Sequence, residues 1–444
     1  MKAPSRTTSS LGLFAASLLV LTGCVTAGSG NGEDQNGDDG EAQDVSSDVT
    51  DEEVTLRLAY TDDPPTEALV EGFTEQFPNV TIETEQTDFG NYITSITRSM
   101  ASDTAPDIAQ YNPGAMRSLV PAGHVLELGE YSELYGWEGA FPPASLEQLM
   151  SDDDAQQFGT GGLYAVPGAL SVLGVYYNED ILTDAGITEP PATLDEFTEA
   201  MAAVSDNGDR PLSLGALEVG ALHLWNAVLN SVGPSQDYLD WVYGAPDATI
   251  ETDAAAQATD IIAEWVEAGY ITEAASATSD ADALADFTSG EAAFLVTGNW
   301  AAAAVDVEMD NAGFFVLPGT EPGAAPVASG SSVAYSISAA SEHPDVAAAF
   351  LDFMNSPEAA AIQIETGFMP VDTGADVASE GLLGDIADSF APVAQESNIV
   401  PFPDFAAPGM IDALTGGLQG VIAGQTTSED YLASLQEVWA GHHG

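Results

Sequence analysis

The side chains with most chemistry to offer in this sequence are aromatics, amides and carboxylates set beside small-residue turns. Trp300 follows Gly298-Asn299 at an expected helix start. An indole there presents a broad apolar face with few rotatable bonds and one N–H donor. Such a ring either stacks on a ligand or fills a core. Trp225, near Glu218, carries the same two readings. Gln110 ends a short expected strand, with Tyr111 beside it. An amide both donates and accepts, which suits a ligand's hydroxyl groups and equally suits the ordering of a loop. Asp62 and Asp63 end the first expected strand. Ligands of open α/β sheets gather beyond the carboxyl ends of strands. Asp63 can accept two hydroxyl protons there, or simply sit in a solvated loop. Gly330 and Ser331 form a small-residue loop in which the backbone can approach a ligand closely.

Sharper chemical signatures fail. Tyr176-Tyr177 suggests paired phenolates on iron, but it reads as a strand-to-loop segment. Asp280, Asp282 and Asp286 lack calcium-loop spacing and a mid-loop glycine. The five histidines have no H-E-x-x-H or related metal spacing. There is no G-x-S-x-G elbow and no phosphate loop. Asp152-Asp153-Asp154 reads as a solvated loop. No catalytic residue, metal or cofactor is expected.

The elements that must position these residues follow from periodicity. Val54 to Tyr60 alternates as a strand, Glu67 to Phe77 has helical spacing, and Val80 to Glu85 is a second strand. Tyr92 to Ala101 is a helix with Tyr92, Ile93, Ile96 and Met100 on one face, and Pro106 to Gln110 is a short strand. Strands alternating with helices argue for an α/β chain with a largely parallel sheet. Thr193-Leu194-Asp195-Glu196 is a capping box. Further helices are expected at 253–268, 299–306, 344–355 and from Ser428. With 444 residues, against roughly 100–200 per domain, two sizeable domains are expected. A hydrophobic fraction of 45% supplies their cores.

The N-terminus reads as an export signal over 1–23. Lys2 and Arg6 precede the apolar run Leu11 to Leu21, which is too short for a comfortable membrane span. Leu21-Thr22-Gly23-Cys24 looks like a lipobox, and Cys24 is the only cysteine, so no internal disulfide forms. Residues 24–53 read as an acidic flexible tether, with ten acids and no base between Asn31 and Glu53.

Four segments in order carry a family resemblance over roughly Val54 to Ala440. They are Ala105-Pro106-Asp107-Ile108-Ala109-Gln110; Leu163-Tyr164-Ala165-Val166-Pro167 running on to Tyr176-Tyr177-Asn178-Glu179-Asp180-Ile181-Leu182; Gly290-Glu291-Ala292-Ala293-Phe294 with Gly298-Asn299-Trp300; and Ala328-Ser329-Gly330-Ser331-Ser332 with His343-Pro344. The chain resembles the family 1 extracellular solute-binding proteins of the maltose-binding type. Glu179 and Glu291 stand where relatives usually carry lysine or arginine.

The resemblance implies a two-lobe, periplasmic-binding-protein-like α/β fold (type II) with hinge strands, lobe 1 at about 54–167 plus 320–372 and lobe 2 at about 168–319 plus 373–444. It implies a sugar-stacking role for Trp300 and a late cleft loop at Phe368-Met369. It further implies a monomeric, lipid-anchored extracellular component of an ABC sugar importer, with the membrane permease subunits as partners and closure on the ligand. A polyamine or other cation binder of the same fold is the alternative. A secreted glycoside hydrolase is the alternative of another class, since two carboxylates roughly 5–9.5 Å apart can hide among many acids.

Charge sets the remaining bounds. There are 71 acidic and 6 basic residues, a formal charge of −65, and the only lysine is Lys2. Beyond the signal only Arg57, Arg98, Arg117 and Arg210 remain as side-chain cations, which disfavours an anionic ligand. Such a surface repels nucleic acid, anionic membranes and itself. Screening lengths fall from ~10 Å at 0.1 M salt to ~3 Å at 1 M. Because the acids are spread along the whole chain, the composition reads as adaptation to a saline habitat. The melting temperature is therefore expected to rise between 0.1 and 2 M KCl; a flat profile would contradict that reading.

Overall fold

The computed structural model describes residues 45–61, 65–110, 113–370, 381–395 and 398–444. Its strands in chain order are β1 (Val54–Tyr60), β2 (Val80–Gln86), β3 (Ile108–Gln110), β4 (Met150–Ser151), β5 (Gly162–Leu163), β6 (Val166–Asn178), β7 (Leu212–Ser213), β8 (Phe294–Gly298), β9 (Ala312–Phe315), β10 (Ala328–Ile337) and β11 (Ile399–Val400). The short strands β4 and β5 form a separate pair. The others make one sheet in the order β2-β1-β3-β10-β6-β8-β7, with β9 also on β6 and β11 also on β10.

The first part is built as periodicity predicts. Val54, Leu56 and Leu58 are buried while Thr55 and Arg57 are exposed, and β1 lies parallel between β2 and β3. Helix Pro65–Gln76 and helix Phe89–Met100 match the expected helices, the second burying Tyr92, Ile96 and Met100. The capping box also forms. Thr193 Oγ1 accepts from Glu196 N at 3.1 Å, and Glu196 Oε2 accepts from Ala192 N at 2.8 Å, one residue further back than the motif requires.

Two hydrophobic cores hang on the sheet. One gathers β1, β2, β3 and the first half of β6; the other gathers Val175, Leu194, Phe197, Trp225, Trp265 and the C-terminal helices. Strand alternation explains how the second half of the sheet is covered on both faces. Val175, Phe294, Val296 and Phe315 join the second core, whereas their neighbours Tyr176, Leu295 and Phe314 face the other side. Tyr176 and Tyr177 thus point to opposite faces and cannot converge on one metal. The Tyr176 hydroxyl instead donates to Gly298 O at 3.0 Å. Gly174 is needed where Phe314 crosses β6, since a Cβ there would sit 2.1 Å from that ring.

Two strands run through both halves. β10 is antiparallel to β3 and to the first part of β6, and β6 then continues into pairs with β8 and β9. The fully buried Asn299 ties this crossing. Its Oδ1 accepts from Val172 N at 2.9 Å, and its Nδ2 donates to Leu170 O at 3.2 Å and Gly367 O at 3.0 Å. Removing such an amide would strand three buried main-chain groups, each costing ~1–3 kcal/mol.

Residues 45–53, expected to be part of the tether, pack on the folded body. Val45 and Val49 pack against the first core, Ser46 N donates to Asp345 Oδ1, and Asn79 Nδ2 donates to Thr50 O and Glu52 O. Residues 45–53 are therefore docked, because two valines among the acids suffice to seat them. Cys24 and the rest of the expected signal and tether lie outside the described residues. Among the described residues no helix is long and apolar enough to cross a membrane.

Candidate functional site

Three half-buried rings meet beside the crossing strands. His223 and Trp300 have ring centroids 5.5 Å apart, His223 and Phe402 5.7 Å, and Trp300 and Phe402 6.4 Å, all tilted or edge-on. Each ring is referenced to β6 or β10. Trp300 lies two residues past Gly298, the residue of β8 that pairs with Leu173 of β6. Phe402 lies two residues past Val400, which pairs with Ser329 of β10. His223 sits on helix Gly220–Val232, which is bonded to β10 through Ser329. Asn230 Nδ2 donates to Ser329 Oγ at 2.6 Å, and Ser329 Oγ donates to Asn226 Oδ1.

The start of that helix is held by Asp280, whose carboxylate accepts from Gly220 N at 3.0 Å and Val219 N at 3.3 Å. Burial pushes the Asp280 carboxyl up to about 6. Burial also pushes the His223 imidazole down to about 4, so the trio carries no positive charge at neutral pH. The site can therefore offer flat, uncharged faces to a ligand's apolar side, with hydroxyls and main chain from β10 alongside.

Of the residues singled out from sequence, Trp300 and Ser331 are partly exposed. Gly330 is buried against β6: a Cβ there would come within 2.5 Å of Ser171 O. Its missing side chain thus serves the crossing strand. Gln110 is 9% exposed, and its Oε1 accepts from Thr61 N at 2.8 Å and Thr61 Oγ1 at 3.1 Å. That amide orders the ends of β1 and β3.

Trp225 requires correction. It is 0% exposed, its Nε1 donates to Thr259 Oγ1 at 2.9 Å, and Tyr431 packs edge-on at 5.5 Å. Phe368 is likewise 0% exposed within the first core. Neither has a face to offer a ligand. Asp63 and Tyr111 lie outside the described residues.

Two of the remaining acids, and the main chain of a third, have local partners. Asp152 Oδ1 accepts from Gln156 N and Gln157 N, Asp286 pairs with Arg210 Nη1 at 2.7 Å, and Asp282 N is capped by Ser279 Oγ. Among the described residues no group of His, Cys, Asp and Glu is arranged to hold a metal.

His223 and Phe402 were not legible as site residues. His223 precedes Trp225 by two residues, about 200° around a helix, so the inward Trp225 turns His223 outward. Phe402 stands between Pro401 and Pro403, which holds its ring in a rigid turn.

A sequence profile of the bacterial extracellular solute-binding proteins matches residues 60–361. A maltodextrin-binding protein of Bacillus subtilis is 23% identical over 382 residues, covering 82% of this chain and 84% of the relative. A multiple sugar-binding protein of Streptococcus mutans is 26% identical over 206 residues, covering 44% of this chain and 48% of that protein. A chitin oligosaccharide binding protein of known structure superposes with a TM-score of 0.74 at 22% identity, covering 88% of this chain and 98% of that one. That likeness establishes the mixed α/β, two-lobe fold.

His223 also generates a pH prediction. Its folded value of about 4 lies below the ordinary value near ~6.5. The unfolded chain binds the proton first, so this share of stability is complete above ~6.5 and is lost as pH falls towards 4. Asp280 acts in the opposite sense over its own window. His223→Phe should therefore lose less melting temperature than wild type between pH 7.5 and 4.5 at fixed 2 M KCl. An equal loss in both proteins would show that His223 is not held neutral.

Proposed function

The chain belongs to the bacterial extracellular solute-binding proteins, and from that membership we propose that it captures a sugar or oligosaccharide for an ABC-type importer. The observation that carries the reading is the tilted trio of Trp300, His223 and Phe402 beside the strands shared by both cores. Rigid aromatic faces supply area to a ligand's C–H side at little entropic cost, while a few placed polar groups fix its orientation. Ser331, Tyr111 and Asp63 form the proposed rim. The named relatives bind maltodextrin, multiple sugars and chitin oligosaccharide, which supports a carbohydrate here.

The proposed lobes are about 54–167 plus 320–372 and about 168–319 plus 373–444, with the ligand between them. A ligand that touches both lobes only when they approach shifts the population towards closure. Cys24 is the proposed lipid anchor, the permease subunits are the proposed partners, the protein acts as a monomer, and the habitat is saline. The polyamine reading is the weaker one. The named relatives are sugar binders, which favours the carbohydrate.

The test is a calorimetric screen in 2 M KCl of maltodextrin, chitin oligosaccharides and spermidine, followed by Trp300→Ala. With the oligosaccharide that binds, truncating a stacking tryptophan should cost ~2 kcal/mol or more, roughly a thirtyfold rise in Kd. The fold should survive, whereas Trp225→Ala should cost ~3–5 kcal/mol of stability. Binding of spermidine alone, or turnover of chromogenic glycosides, would replace the reading with one of its alternatives.

A further inference from the structure

Arg117 lies in helix Pro113–Leu119 and is 2% exposed. Its guanidinium collects four main-chain carbonyls. Nε donates to Phe405 O at 2.8 Å, Nη2 to Val242 O at 2.9 Å, and Nη1 to Ala155 O at 2.9 Å and Gln156 O at 3.1 Å. The group also lies 4.4 Å over the Phe158 ring. Ala155 and Phe158 belong to the first core; Val242 and Phe405 belong to the second. One planar fork thus fastens the two cores to each other, a task its fixed donor geometry suits and a lysine's point charge does not.

The carbonyl that Nε holds belongs to a turn with a consequence for the site. Phe402 opens the 3-10 turn Pro403–Ala406, Phe405 N donates to Phe402 O at 3.2 Å, and the two rings pack edge-on at 6.0 Å. Fixing Phe405 therefore fixes where the Phe402 ring stands against Trp300 and His223.

We infer that Arg117 is a positioning residue of the cleft: buried away from the ligand, it sets the Phe402 wall from the opposite core. The effect on binding rests on the sugar-site reading above; the effect on the rings does not. Two measurements keep the two separable. Ligand-free protein labelled with 5-fluorotryptophan reports Trp300 directly, its fluorine resonance assigned by its loss in Trp300→Phe. Arg117→Lys should shift that resonance in the same direction as Phe402→Ala, and leave the resonance of Trp265 in place. Phe158→Leu, which removes the ring beneath the guanidinium and no hydrogen bond, should give a smaller shift of the same sign, and it serves if Arg117→Lys does not fold.

Titration with the oligosaccharide found by the screen then closes a double-mutant cycle. Arg117→Lys and Phe402→Ala should each weaken binding about tenfold, and the double variant no more than either, because both act through one ring. Additive losses, or an unmoved Trp300 resonance in folded Arg117→Lys and Phe158→Leu, would overturn the assignment. A wild type that binds no oligosaccharide would defeat the sugar reading, while the resonance would still decide the role of Arg117.

Discussion

The antiparallel ladder of β6 on β10 is the constraint on which the rest depends. The two strands pass through the region where both cores meet, and the Asn299 amide pins three main-chain groups there. Every ring of the site is placed from this ladder: Trp300 through β8, Phe402 through β11, and His223 through the Asn230–Ser329–Asn226 chain. The site is thus built on rigid paired strands and their immediate ends. A binding surface on such supports loses little freedom when a ligand arrives.

Charge dictates how the two cores are fastened. With so few cations, ion pairs cannot be the general adhesive; Arg210–Asp286 is one that forms. Two other arginines serve the main chain. Arg57 donates to Thr104 O and Ala105 O, and Arg117 to its four carbonyls. Stability then rests on apolar burial and neutral hydrogen bonding, opposed by carboxylate repulsion that salt screens. The scarce guanidinium groups stand where one fork replaces several separate donors.

Elements set by neighbours within a few residues are legible in the sequence, whereas those set by distant partners are not. The alternation of β1, the face of helix Phe89–Met100 and the Thr193 cap depend on neighbours within a few residues, and all three are present. The orientation of helix Gly220–Val232 was not readable, because nearly all its residues are buried and no polar stripe marks an outer face. Trp225 and His223 could not be told apart for that reason. The roles of Gly330 and Gln110 depend on Ser171 and Thr61, distant in sequence. The partners of Arg117 lie up to 288 residues away. Such partnerships are fixed only by the topology of the crossing strands.

The most direct test of the account is a crystal structure of the protein grown in molar KCl with the tightest-binding oligosaccharide. The account predicts a sugar ring against Trp300, bordered by His223 and Phe402, with hydroxyl contacts to Ser331 and the β10 main chain, and with the β6–β10 register unchanged. A ligand bound away from these three rings, or a trio closed on itself with no room for a sugar, would contradict it.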